Sequence, residues 1–312
     1  MNLAFNGIAS GLGNNGGTRT ILLCQKTLEE LGHRCDFIAG IDNFTWFDHK
    51  PVINYLPDDL DAIISVACSD VVPTLNIPIE RKAWYIRGHE NWSMSDQDLG
   101  HLYRDTRFLN IVNSKGLQYK LKNEFHADSV VVYQGIDVRG WYNRKLRSNK
   151  IRIGCLSNKR HSTKRWQDFV ELSKVLGHDD YEYVAFGLEE RHDDFLTIFL
   201  QSPEHGDLLN LYSSCHIWFA PTELEGLHNP AIEASLCGCL LVANDNPMNG
   251  MILDYAFNNE TAMIYKARDI EHAAQKIKNP DWNLVSNMQK CIKTNIGTRR
   301  DNMRKMVEYL DG

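Results

Sequence analysis

The chain has 312 residues, 43% hydrophobic and 24% charged, a balance that belongs to folded globular proteins and excludes disordered and fibrous classes. That length suits two ordinary domains better than one. Lys and Arg number 34 against 40 Asp and Glu, a formal net charge of -6, so no global basic field draws in nucleic acid or anionic lipid, and a nucleic-acid partner is not expected.

No run approaches the roughly 18 apolar residues of a membrane span. The start, 1–10, lacks a basic flank before its short apolar stretch, so neither a transmembrane segment nor a secretory leader is expected, and a cytoplasmic location is. The eight cysteines include no CxxC pair and read as reduced thiols packed inside the fold.

Short β-branched or aromatic runs alternate with segments of helical period, the pattern of a parallel sheet covered on both faces. Strands are expected over 3–8, 34–39, 62–67, 82–87, 108–113 and 129–133. A glycine-rich loop, 11–17, follows the first strand and opens a helix whose Ile21, Cys24, Leu28 and Leu31 recur at helical spacing. Gly32 is placed to end that helix. Further helices are expected over 95–106 and 114–123.

The stretch 135–149 has little apolar period and carries Arg139, Arg144, Lys145 and Arg147, as a linker would. The alternation then restarts, with strands over 151–156, 181–186, 215–219 and 239–243 and helices over 163–176, 205–213 and 230–237. The tail, 281–310, reads as helix broken near Gly297. The fold class that follows is α/β, two Rossmann-like doubly wound domains over 1–138 and 139–312, with a terminal helix that could pack back on the first.

The most informative segment is 220–243, APTELEGLHNPAIEASLCGCLLVA, where Glu225 and Glu233 stand eight positions apart across a helix start. Asn229 suits an N-cap and Pro230 a first helical residue. Glu225 is then expected in the loop and Glu233 one turn inside the helix. Both carboxylates would face a crevice at the carboxyl end of the preceding strand, where open α/β sheets bind ligands. Free amides over 226–232 and the helix dipole would make an anion site there, fit for a diphosphate.

Pro221, Thr222, Glu225, Gly226, Pro230, Glu233, Ala234 and Gly238, with the apolar strand after them, match in order and spacing the E-x7-E signature of family 4 retaining glycosyltransferases, also called glycosyl transferases group 1. The chain resembles that family along nearly its whole length. The resemblance implies the GT-B architecture, with the first domain on the acceptor side and the second holding a nucleotide-diphosphate sugar. It implies that Glu225 holds hydroxyls of the donor sugar, that Glu233 bonds the ribose, and that amides of Gly226, Leu227, His228 and Asn229 contact sugar or phosphates. Members usually carry Gly-Phe-Gly or Gly-Leu-Pro type runs here, and His228 departs from them, which leaves the sugar open.

Upstream, the resemblance makes Lys164 one of two cations clamping the diphosphate and either Lys159 or Arg160 the other. The Gly that usually follows that Lys is Arg165. Gly16 and Gly17 match a pair that reaches the donor phosphates, and His89, in the polar and aromatic run WYIRGHENW, matches a His that touches the sugar. Asn113, Ser114 and Lys115, then Gly135, Ile136 and Asp137, echo two shorter family runs. The expected chemistry is sugar transfer with retention, driven by Glu225, Lys164 and His89, with closure about 135–149, no cofactor and no metal. A nucleotide-sugar epimerase, a phosphorylase or a non-catalytic sugar-nucleotide binding protein could use the same architecture. The acceptor (glycan, lipid, metabolite or modified base) and the oligomeric state are not indicated.

Overall fold

The computed structural model describes residues 1–159, 161–190 and 193–312. They divide into two compact units, one of 1–136 with 297–312 and one of 137–296. Each is built on a six-stranded sheet in which every pairing is parallel.

In the first unit the strands are β1 (Asn2–Asn6), β2 (Arg34–Ile38), β3 (Ala62–Ser65), β4 (Arg81–Ile86), β5 (Leu109–Val112) and β6 (Val130–Val131), in the order β2-β1-β3-β4-β5-β6. The helices between them are α1 (Gly16–Glu30), α2 (Cys68–Leu75), α3 (Asp96–Tyr103) and α4 (Lys115–Phe125). α1 starts where its sequence favours it: Asn15 accepts from the Thr18 amide and caps the first turn. Its inner face, Ile21, Leu22, Cys24 and Leu28, packs with Leu3 and Phe5 of β1 and Phe37 of β2 in one core.

The second unit holds β7 (Ile151–Leu156), α5 (Trp166–Leu176), β8 (Tyr181–Gly187), β9 (Ile198–Gln201), α6 (His205–Ser214), β10 (Ile217–Ala220), α7 (Asn229–Leu236), β11 (Leu240–Asn244), β12 (Met263–Tyr265), α8 (Ile270–Lys278) and α9 (Leu284–Cys291). Its sheet runs β12-β11-β10-β7-β8-β9. Counted from this unit's own first strand, that is the order 3-2-1-4-5-6 of dinucleotide-binding sheets. The expected doubly wound fold class therefore holds in both halves.

The stretch expected as a linker is instead fastened to the second unit. Trp141 packs on His205 and Tyr212, the Arg144 amide donates to Ser213 Oγ at 3.0 Å, and Arg147 donates to the Gly238 carbonyl at 2.6 Å. Two basic residues of the stretch, Arg144 and Arg147, donate hydrogen bonds to neighbouring elements. The tail is helical as expected, with α9 leading through a π turn to a break at Gly297 (φ 68°). α10 (Arg299–Asp311) then buries Met303, Met306 and Leu310 in the first unit's core.

That return rests on one glycine. The Ile136 amide donates to the Gly297 carbonyl at 3.2 Å, and Ile136 bridges Thr298 in parallel. Gly135, at φ 65°, lies so near that a methyl group on it would sit 2.3 Å from the backbone of Arg299. Side chains are strained at that φ and the clash is with backbone, which cannot rotate away. Gly135→Ala should therefore cost about 2 kcal/mol or more and loosen α10 first. Denaturant unfolding with amide exchange of 299–311 measures this, and wild-type stability and protection in the variant would refute it.

Candidate functional site

In the second sheet β7 and β10 are neighbours, with Ile153 opposite Ile217, and strand order runs outward from them in both directions. The loops leaving their carboxyl ends, 157–165 and 221–228, therefore share a crevice at the topological switch point. Their backbones meet there: the Glu223 amide donates to the Thr163 carbonyl at 2.8 Å. The Thr222 hydroxyl donates to the same oxygen at 3.2 Å.

Two residues turn sharply so that the loops can feed their helices. Arg165, where a glycine is usual in the resembled family, takes left-handed φ of 55° between a 3-10 turn and α5. Its guanidinium is anchored on Asp168 at 2.6 Å. His228 takes φ 45° just ahead of α7. With that turn made at His228, α7 begins at Asn229, so His228 and not Asn229 is the capping position. Pro230 still falls in the first turn, where its missing N–H costs nothing.

These turns bring Lys164, Glu225 and His228 together. Lys164 Nζ forms an ion pair with Glu225 Oε1, and His228 Nδ1 lies 2.9 Å from the same oxygen. The Thr222 hydroxyl is 3.4 Å away. Burial pushes the Glu225 carboxyl up, but Lys164 and His228 outweigh it and hold it down at about 2. An ionised carboxylate only accepts, so the His228 ring must place its proton on Nδ1. Glu225 Oε2 has no partner among the described residues, and Glu225 keeps 14% of its side-chain surface exposed. The amides of Gly226, Leu227 and His228 likewise donate to no acceptor among the described residues.

A second loop holds the Glu225 loop from behind, and sequence reasoning missed it. The turn after β11 accepts the Glu225 amide on the Met248 carbonyl at 2.9 Å. Asn244 donates to the carbonyls of Pro221 and Thr222 at 2.7 and 2.8 Å. Gly250 (φ 71°) passes so close that a methyl group there would meet the Gly226 carbonyl at 2.4 Å. Asn246-Pro247 and Asn249-Gly250, directly after an expected strand, were the available signal. Tyr255 adds a hydroxyl that donates to the carbonyls of Leu227 and His228, both at 3.3 Å.

The remaining candidates divide. Glu233 lies inside α7, 6% exposed, and accepts from the Tyr212 hydroxyl at 3.1 Å. Lys159 pairs with Asp193 at 2.7 Å. Arg160 lies outside the described residues. In the first unit, Gly16 and Gly17 open α1. His89 is packed as a structural hydrogen-bonder: it is 1% exposed, with Nε2 2.8 Å from Asp96 and Nδ1 3.2 Å from the Tyr103 hydroxyl. Both ring nitrogens are thus engaged within the first unit.

No family model matches the sequence, and no curated protein matches it. Solved structures do. Sucrose-phosphate synthase from Thermosynechococcus elongatus superposes with TM-score 0.78 at 13% identity, over 100% of this chain and 98% of that one. A glycosyltransferase from Rickettsia africae gives 0.75 at 17% identity, over 99% and 98%. HepE of Anabaena, in complex with UDP-glucose, gives 0.75 at 12% identity, over 100% and 99%. At such identities the likeness establishes the fold alone, two Rossmann-like units of the GT-B class.

The ion pair has a consequence for stability. Glu225 is held below its ordinary value of 4.5, so its contribution is complete above pH 4.5 and is lost as pH falls toward about 2. Lys164→Met should lower stability at pH 7 by about 1–3 kcal/mol, less than a fully buried pair because both groups keep some solvent. The gap between variant and wild type should narrow at pH 3. Urea denaturation at the two pH values measures both, and an equal gap at each would count against the pair.

Proposed function

We propose that the chain is a retaining glycosyltransferase of family 4, moving a hexosyl or pentosyl group from a nucleotide-diphosphate sugar to an acceptor. The observation that carries this reading is the Lys164–Glu225 pair at the switch point, beside the unengaged amides of Gly226, Leu227 and His228. Cation, carboxylate and amides side by side match a ligand with a diphosphate at one end and hydroxyls at the other. The fold is that of known glycosyltransferases, and the UDP-glucose bound to HepE favours a uridine donor.

In this reading the diphosphate lies against the amides and Lys164, with Lys159 or Arg160 as the second cation. These cations stabilise the charge that grows on the leaving diphosphate. Glu225 accepts sugar hydroxyls on Oε2, while Lys164 and His228 keep it ionised and oriented. Glu233, steadied by Tyr212, accepts from the ribose. The bond from the anomeric carbon to the diphosphate oxygen breaks as the acceptor oxygen bonds the same face. The acceptor proton passes to the departing phosphate. Neither cofactor nor metal is called for, because the cations supply the neutralising charge. The second unit is the donor side and the first the acceptor side, in the cytoplasm.

A panel of nucleotide sugars, scored by thermal stabilisation and by product anomer in NMR, tests the proposal. A true donor at 100 times its dissociation constant should add about 2.7 kcal/mol. Glu225→Ala should cut turnover about 100-fold or more, and Glu233→Ala should chiefly weaken donor binding. Wild-type rates in both variants would sink the assignment. Epimerised donor without acceptor would indicate an epimerase, phosphorolysis a phosphorylase, and donor binding without turnover a sensor.

A further inference from the structure

The loop that leaves the carboxyl end of β2, 40–49, has the sequence GIDNFTWFDH and is laced to the glycine-rich loop after β1. The Leu12 amide donates to the Ile41 carbonyl at 2.9 Å, and the Asn43 amide donates to the Leu12 carbonyl at 3.0 Å. The Asn14 carboxamide grips Thr45 twice, accepting from its amide and donating to its hydroxyl, each at 2.9 Å. Phe44 sinks into the first unit's core. The rings of Trp46, Phe47 and His49 gather round it at centroid distances of 5.8, 4.9 and 5.6 Å.

That packing does not use up Trp46. Its indole leans on Phe44, yet 39% of the residue stays exposed, and Nε1 donates to no acceptor among the described residues. Covering Phe44 needs only an apolar side chain, so an open ring face and a free N–H are left over for a ligand. The side chains flanking the indole are polar. Asn43 and Asp48 are both exposed, and neither side chain has a partner among the described residues. The loop adds no free lysine or arginine. Lys50, the only one over 40–50, pairs with Glu29 at 2.7 Å and Asp36 at 2.9 Å, and His49 faces Asp42 at 3.5 Å.

We infer that loop 40–49 is a binding platform for a neutral saccharide, with Trp46 beneath the sugar ring. A pyranose presents weakly positive C–H groups on a face and hydroxyls round its edge. The negative face of an indole suits the first, and a carboxylate, a carboxamide and an indole N–H suit the second. An anionic ligand, whether a phosphorylated sugar or a lipid headgroup, meets Asp42 and Asp48 with no lysine or arginine of the loop to offset them. The platform stands at the carboxyl ends of β1 and β2, beside the β1/β3 switch point of that sheet, where open α/β sheets bind ligands. Saccharide binding here needs no residue of the second unit. That the saccharide is the acceptor rests on the transferase reading, and it narrows the acceptor to a neutral glycan or glycoside.

An array of neutral glucosides, galactosides, mannosides and N-acetylhexosaminides, beside sulfated and phosphorylated glycans, tests the platform, followed by calorimetric titration of the best-retained saccharide into the full chain. Trp46→Leu keeps an apolar cover on Phe44 and removes the ring face and the N–H. It should weaken that saccharide about five- to tenfold with the melting temperature held. Asn43→Ala, at an exposed side chain, should weaken it in the same direction and is read alone if Trp46→Leu does not fold. Saccharide binding that depends on Trp46, in a chain that binds no nucleotide sugar, would uphold the platform and defeat the transferase reading. Nucleotide-sugar turnover with an acceptor KM indifferent to both substitutions would do the reverse. No neutral saccharide retained by the wild type, equal affinity in both variants, or retention of sulfated or phosphorylated glycans alone would overturn the inference.

Discussion

An ionised carboxylate held in a crevice is the constraint on which the second unit's site is arranged. Glu225 would prefer to be neutral where it lies, and it stays charged because Lys164 and His228 converge on one of its oxygens. Each partner reaches it through a backbone distortion. The 3-10 turn that carries Lys164 ends in left-handed Arg165, and His228 is itself left-handed. Such conformations cost free energy unless neighbours over-determine them. Here Asp168 fixes Arg165, Tyr255 ties the carbonyls around His228, and Gly250 and Met248 close the loop from the other side. With one carboxylate oxygen so occupied, the other is left for a ligand in a fixed direction.

That arrangement explains how far the sequence could be read. Both sheets were legible because parallel strands buried on two faces are near-continuous apolar runs, such as 215–219 and 239–243. Of the elements that escaped, α8 has a clean helical period, with Ala273, Ala274 and Ile277 buried, whereas the others carry weak or conflicting signals. α2 contains Pro73, which reads as a helix breaker. β9 and β12 are short edge strands of four and three residues. The stretch after Gly135 looked like a linker because it has little apolar period and several basic residues, whereas the guanidinium groups of Arg144 and Arg147 bond to Asn210 of α6 and to the Gly238 carbonyl. Covalent spacing cannot tell a solvated guanidinium from one that finds a carbonyl.

Legibility of the site followed the same rule. Glu225, Lys164 and the amides between them could be located because strand, loop and helix start are set by local sequence. His89 could not be judged, because its partners Asp96 and Tyr103 approach from α3, across a loop whose path the sequence does not fix. The supporting turn 246–250 was equally invisible as a partner, though its residues announce a turn. Its role depends on β10 and β11 being adjacent, a property of topology rather than of either segment.

In the second unit the described cations near the switch point are already met: Lys164 by Glu225, Lys159 by Asp193, Arg165 by Asp168 and Arg268 by Glu223. An anionic ligand there competes with an internal carboxylate, so it gains only the difference between two partners, which favours reversible binding. A weakly net-acidic protein can gather cations in such a crevice without a basic surface, because the charge is placed by strand ends and helix starts rather than by composition.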